Sequence, residues 1–417
     1  MSKYVIAGGN PLSGSLRVHG AKNSVLPILA ATLLVNGESV IHNCPDLKDV
    51  RSAIKILSHL GCRVTRENDT VIVDARTMSR FDIPESLMRE MRSSVMFLGA
   101  IIVRAGKARM SFPGGCELGP RPIDLHLSSL KKLGVSISEE GGEIICEAGD
   151  MKGAEINLSF PSVGATENIM LAATMCSGRT RIINAAREPE IEDLEKFLQK
   201  TGSKIHGAGG SVIEIEGAAF ASGVEHTVMP DRIEAATYLC AAAITHGEIE
   251  LLSVAPEHLS TVVAALEESG CFVSAEPGRL YLRSGNELKA IRPVRTMPYP
   301  GFPTDVQSPL MALMAKAKGT TIFIENIFEN RFRHVCELLR MGANIRVEGK
   351  IAVITGVPKL SGASVKMTDL RGGAALVIAA LGADGVSEVC ELSHTDRGYE
   401  KMDERLRSLG ADIKRVE

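Results

Sequence analysis

The stretch AIKILSHLGCRV, residues 53–64, reads as the end of an amphipathic helix, a closing glycine and the start of a strand. Five more runs share that form: LHLSSLKKLGVSI (125–137), DLEKFLQKTGSKI (193–205), VVAALEESGCFV (262–273), HVCELLRMGANI (334–345) and MDERLRSLGADI (402–413). Their glycines, Gly61, Gly134, Gly202, Gly270, Gly342 and Gly410, recur every 68–73 residues. Each suits the left-handed cap that ends a helix, so the chain reads as six copies of one unit.

A second element keeps the same interval. Small-residue helices such as NIMLAATMCSG and EAATYLCAAAITHG close at Gly37, Gly106, Gly178, Gly247, Gly319 and Gly385, each before a β-rich run. Alanine and glycine let the first helix of a unit pack closely, which predicts a buried helix, whereas the charged second helix reads as partly solvated. The sixth unit lacks its last strands, and YVIAGGNPLSGSLRVHG at the N-terminus matches the fifth-unit run IAVITGVPKLSGASVKMTD. The expected division is therefore a domain at 22–229 and another made of 1–21 and 230–417, each of three units, with a cleft between them.

Composition narrows the function classes. The chain has 417 residues, 45% hydrophobic and 23% charged, with a formal net charge of −3. Charges interrupt every apolar run too early for a membrane span, and the N-terminal residues show no export signal, so the expectation is a cytoplasmic protein that binds neither membrane nor nucleic acid. Nine scattered cysteines without a C-x-x-C pair argue against a disulfide framework and a zinc site. Cys62, Cys146, Cys176, Cys240, Cys271, Cys336 and Cys390 read as buried packing residues, with Cys176, Cys240 and Cys336 in helices; Cys44 is left open.

Cys116 differs. It lies in SFPGGCELGPRPIDLH (111–126), within the longest spacing between first-helix and second-helix glycines, 28 residues against 23–25 elsewhere. Glycines make such an insertion mobile and prolines limit its range, as in a lid; the plain alternative is a surface loop with an incidental cysteine.

Polar residues gather at the starts of the first helices: Lys22 and Asn23, Arg92, Gly164, Asp231 and Arg232, Asp305, and Asp369 with Arg371. Arg187, Arg331 and Arg397 stand at the entries to second helices. A basic residue at a helix start opposes the dipole, which points to a phosphate or carboxylate ligand there; the aspartates alternatively serve only as caps. His126, His334 and His394 lack metal-ligand spacing and read as hydrogen-bonding or surface residues.

With GAKNSVLPIL, PGGCELGPRPIDLH, PSVGATEN, AAREPEI, FPTDVQ, ENIFENRF and DRGYE in this order, the chain resembles, end to end, the family of UDP-N-acetylglucosamine 1-carboxyvinyltransferases, the MurA-type enolpyruvyl transferases of peptidoglycan synthesis. The cysteine loop separates that family from the sister enzymes that make enolpyruvylshikimate phosphate. The resemblance implies a two-domain inside-out α/β barrel of six β-α-β-α-β-β units. It also implies transfer of the enolpyruvyl group of phosphoenolpyruvate to the 3′-hydroxyl of UDP-N-acetylglucosamine with release of phosphate, and no metal or organic cofactor.

By the same carry-over Cys116 is the general acid, Asp305 the candidate base and Asp369 a supporting candidate. Lys22, Asn23, Arg121 and Arg397 are expected at phosphoenolpyruvate. Arg92, Arg121, Pro122, Ile123, Asp124, Leu125, Ser162, Val163, Gly164, Asp305 and Ile327 are expected at the UDP-sugar. Some relatives carry a lysine just before the PSVG-like segment where this chain has Phe160 and Pro161, so any grip on the diphosphate there rests on backbone N–H groups and on arginines elsewhere. Three other readings compete: a different enolpyruvyl transferase, a silent relative that only binds UDP-sugar, and an RNA-end-processing protein of the same architecture. The last is weakened by an aromatic content of 4%, which leaves few platforms for stacking bases.

Overall fold

The computed structural model describes residues 2–112, 123–218 and 221–417. These fall into two compact units, one of residues 20–229 and one of residues 2–19 with Pro230–Glu417. In both, the described residues form three four-stranded sheets over a separate hydrophobic core.

All six four-stranded sheets have one plan. In the unit of residues 20–229, Glu38–His42 follows the buried helix Lys22–Ala31 and pairs antiparallel with Thr70–Asp74, which pairs with Arg63–Glu67 after the outer helix Lys48–His59. The fourth strand is borrowed: Gly223–Thr227, from the end of the unit, lies parallel to Glu38–His42. Asp82–Ile83 likewise joins the sheet of Lys107–Ser111, and Glu155–Asn157 that of Arg179–Ile183. Each repeat thus hands its last strand to the next sheet, and the third hands back to the first, closing a ring.

The other unit closes the same way across the chain ends. Lys3–Ala7 lies between Val386–Cys390 and Asp412–Val416, antiparallel to both, while Ser13–Arg17 runs parallel to Glu248–Val254. Val294–Arg295 and Ser364–Lys366 complete the exchange with Thr320–Ile324 and Val386–Cys390.

The small-residue helices form the cores. Arg232–Ile244, Thr304–Met314 and Leu370–Leu381 pack on one another, and every residue of Arg232–Ile244 is buried. In the first unit Phe97–Ala105 packs against both Lys22–Ala31 and Val163–Ala173. Alanine supplies buried contact at the least side-chain entropy loss, which is why these helices sit inside and the charged ones outside. The six cap glycines adopt φ between +88° and +99°, a region where a Cβ is penalised.

Four expectations need correction. Cys336 is exposed, because Val335 and Leu338 on the short helix Val335–Arg340 turn inward and leave it facing out. Cys176 is buried but lies beyond the end of Val163–Ala173. Arg92 opens a 3-10 turn, Arg92–Met96, and the helix proper begins at Phe97. His334 is not on the surface: it is fully buried, and neither ring nitrogen makes a hydrogen bond of good geometry among the described residues, the Arg331 backbone being its nearest polar support.

Candidate active site

In the unit of residues 20–229 the first turn of Lys22–Ala31 carries Lys22 and Asn23. The helix has no side-chain cap and no acid in its first turn. The expected cost of a cation at this end is met from a neighbour: Lys22 Nζ lies 2.8 Å from Asp49 Oδ2, and Asp49 is fully buried on the outer helix Lys48–His59. Lys22 is buried too, whereas Asn23 is half-buried.

A second group surrounds the start of Val163–Ala173. Ser162 caps it, its hydroxyl accepting from the Ala165 N–H at 3.4 Å. Asn168 is oriented by backbone bonds, its Nδ2 donating to Val95 O at 3.0 Å and its Oδ1 accepting from Gly99 N at 2.8 Å. The same Nδ2 donates to His126 Nδ1 at 2.8 Å, so the imidazole carries its proton on Nε2. That nitrogen lies against Gly164, where a Cβ would come within 3.0 Å of the ring's Cε1 and 3.3 Å of Nε2. Burial pushes the His126 pKa down to about 4, partly opposed by Asp124, which keeps the ring neutral.

Ile123 is buried, Leu125 half-buried, and Asp124 exposed as the first residue of Asp124–Lys132. Val163 and Gly164 are half-buried, and Phe160 is exposed. Cys116, Arg121 and Pro122 lie outside the described residues, as does the side chain of Arg92.

In the other unit the three packed helices bring their acidic starts together, and the aspartates separate into two kinds. Asp231 and Asp369 are caps, each accepting from two backbone N–H groups of its own helix. Asp305 stands in the first turn of its helix rather than at the cap position, which Pro303 holds. Its Oδ1 accepts from Arg331 Nη2 at 2.8 Å and its Oδ2 from Arg371 Nη2 at 3.0 Å and Nε at 3.2 Å. Both guanidiniums are buried, over the rings of Phe328 and Tyr399. Burial opposes the Arg371 charge, but Tyr399, Asp305 and Asp231 more than restore it and hold the group above its ordinary value.

Arg331 Nε and Arg371 Nη1 find no hydrogen-bond partner among the described residues, so this buried cationic pair has donors left after Asp305 is satisfied. Such an arrangement can hold a carboxylate while offering N–H groups to a second anion. Arg397 ends the 3-10 turn Thr395–Arg397, which packs on Leu370–Leu381. Ile327 is placed by Glu325, whose Oε1 accepts the Ile327 N–H at 2.8 Å.

Sequence reasoning noted Arg331 and Arg371 only as charges near helix ends and overlooked Asn168, Asp49 and Tyr399. Asn168 stands in the quoted PSVGATEN and Tyr399 in DRGYE, so both were in view without a reason to single them out.

The family model of EPSP synthase (3-phosphoshikimate 1-carboxyvinyltransferase) matches residues 6–406. The chain is 53% identical to UDP-N-acetylglucosamine 1-carboxyvinyltransferase 2 of Caldanaerobacter subterraneus, covering 100% of both chains. It is 50% identical to UDP-N-acetylglucosamine 1-carboxyvinyltransferase 1 of Symbiobacterium thermophilum, over 99% of this chain and 95% of the relative. Among solved structures, the enolpyruvyl transferase NikO from Streptomyces tendae superposes with a TM-score of 0.90 at 26% identity, covering 100% of this chain and 99% of that one. The EPSP synthase of Acinetobacter baumannii, at 19% identity and a TM-score of 0.76 over 100% of both chains, shares the fold. The chain therefore has the two-domain inside-out α/β fold and belongs to the EPSP synthase family of enolpyruvyl transferases, among the UDP-N-acetylglucosamine 1-carboxyvinyltransferases.

Proposed function

We propose that the chain transfers the enolpyruvyl group of phosphoenolpyruvate to the 3′-hydroxyl of UDP-N-acetylglucosamine and releases phosphate, the first committed step of peptidoglycan precursor synthesis, in the cytoplasm. The observation that carries this reading is identity near one half along the whole length of relatives bearing that name.

The chemistry needs a proton for the vinyl carbon, a base for the sugar hydroxyl, and cations for phosphate and carboxylate. Cys116 is assigned the proton: a thiol with a reference pKa of about 8.5 retains it at neutral pH. Asp305 is assigned the hydroxyl. Its double ion pair supports that role, because a carboxylate anchored on both oxygens keeps one orientation towards the hydroxyl it must relieve of a proton. Asp369 is a supporting candidate, its carboxylate held at the start of Leu370–Leu381 by two backbone N–H groups.

Lys22, Asn23, Arg121 and Arg397 are assigned to phosphoenolpyruvate. Arg92, Arg121, Pro122, Ile123, Asp124, Leu125, Ser162, Val163, Gly164, Asp305 and Ile327 are assigned to the UDP-sugar. At the diphosphate, the helix start at Val163 and Gly164 offers backbone N–H groups, and His126 Nε2–H beside Gly164 supports that grip where Phe160 supplies no charge.

The test is phosphate release with each substrate pair. Release is expected only when phosphoenolpyruvate and UDP-N-acetylglucosamine are both present; equal release with shikimate 3-phosphate would move the assignment to the sister activity.

A further inference from the structure

Asp193 has no part in the assignments above, yet it is buried on the outer helix Pro189–Lys200 and its carboxylate receives three donors. Ser24 Oγ donates to Oδ2 at 2.5 Å, the Met229 N–H donates to the same oxygen at 3.1 Å, and His226 Nε2 donates to Oδ1 at 3.0 Å. Burial pushes this carboxyl up, and the bonds from His226 and Ser24, the His226 charge and the Met229 N–H outweigh it, so Asp193 stays below the usual carboxylate range.

The identity of the donors gives the arrangement its meaning. Ser24 stands in the same helical turn as Lys22 and Asn23. Met229 O accepts from the N–H of Ala21, the residue that opens that helix, at 2.7 Å. One carboxylate is therefore bonded to the first turn through a side chain and to its entry through the paired backbone. The His226 ring is itself set edge-on against Phe197, 5.7 Å between centroids. Since the helix start has neither a side-chain cap nor a first-turn acid, its anchoring comes from Asp49 on Lys22 and Asp193 on Ser24.

We propose that Asp193, acting through Ser24, is a positioning residue that fixes the first turn of Lys22–Ala31 so that Lys22 and Asn23 meet their small anionic substrate. This rests on the reading that those two residues hold phosphoenolpyruvate. A loosened turn weakens that anion's binding and leaves the UDP-sugar contacts on other elements alone.

The experiment is steady-state kinetics on the full chain carrying Ser24→Ala, Asp193→Asn, both together, or Ile215→Val as a control for general loosening of the same core. Expected are a rise of about tenfold in KM for phosphoenolpyruvate in each single variant, no further rise in the double variant, and KM for UDP-N-acetylglucosamine within twofold throughout. The Ile215→Val control is expected to leave both constants within twofold at a similar loss of Tm. Should Asp193→Asn not fold, Ser24→Ala alone decides the question. Equal rises in both KM values, or an unchanged KM for phosphoenolpyruvate in Ser24→Ala, overturn the positioning role while the activity stands. Absence of turnover in the unaltered chain overturns the functional reading and this inference with it.

Discussion

Three aspartates at equivalent helix starts look alike in sequence, and only their partners tell them apart. Asp231 and Asp369 bind backbone within three residues, whereas Asp305 binds Arg331 and Arg371, 26 and 66 residues away. The short-range pattern was therefore legible and the ion pairs were not. Asp305→Ala is expected to remove turnover and also to destabilise its unit by about 3 kcal/mol in urea unfolding, because it takes from two buried guanidiniums the carboxylate that both share. For the acid role, Cys116→Ala is expected to lose most turnover and Cys116→Asp to keep a good part, since a carboxylic acid also donates a proton. Full activity in the alanine variant would remove Cys116 from the mechanism.

Two buried histidines set a pH dependence. Burial lowers both His126 and His334, with His126 at about 4; Asp369 pulls His334 up and Arg331 pushes it further down. A histidine with a folded pKa below its unfolded value of about 6.5 takes up protons preferentially in the unfolded chain, so the stability that depends on these two rings staying neutral is complete above pH 6.5 and falls towards pH 4, against the opposite trend of the buried Glu167, whose carboxyl burial pushes up. For His126 the full loss is about 3 kcal/mol. The difference between the unaltered chain and His334→Leu in urea unfolding at pH 7.5 and pH 5 isolates the histidine contribution and checks its sign. His334→Leu is expected to flatten the slope with little loss at neutral pH, because the ring it replaces makes no hydrogen bond of good geometry among the described residues.

At the scale of elements, the repeat was readable because helix caps and buried helices impose strong residue preferences: glycine at the left-handed position and small residues inside. The boundaries were less readable. A 3-10 turn precedes Phe97–Ala105, and the outward-facing Cys336 lies between two inward positions of a helix of six residues, too short for periodicity to fix its face. The cap glycines are equivalent in backbone but not in surroundings. At Gly342, φ +88°, a Cβ would meet nothing within 4 Å, while at Gly61, φ +98°, it would lie 2.9 Å from Thr77 O and 3.0 Å from Ser79 N. Gly342→Ala is expected to cost about 1 kcal/mol from backbone strain alone. Gly61→Ala should cost at least about 1 kcal/mol more, from overpacking. Equal midpoints in urea for the two variants would show that strain dominates both.

At the scale of the whole molecule, the family fold was legible from six copies of one pattern, since a period survives substitutions that erase any single motif. The chain ends occupy a place that another repeat fills with a hairpin: Lys3 pairs with Val416 much as Ile351 pairs with Glu348 across a tight turn. Joining Glu417 to Ser2 through a short glycine-rich turn, and reopening the chain between Gly349 and Lys350, is expected to preserve folding and turnover. Circular dichroism and phosphate release measure both, and an unfolded product would show that the ends are not equivalent to that hairpin.

The loan of an edge strand from each repeat to its successor also limits how such a protein changes over generations. Stacked solenoids lengthen or shorten by one motif because their ends are open. Here the removal of one motif takes away a donated strand and the sheet that receives one together, so the remaining two would have to re-close around two buried helices in place of three, and an added one would have to open the ring to four. The count per ring is held at three by the geometry of closure around the packed helices, and variation is channelled into the loops that leave the ladder intact.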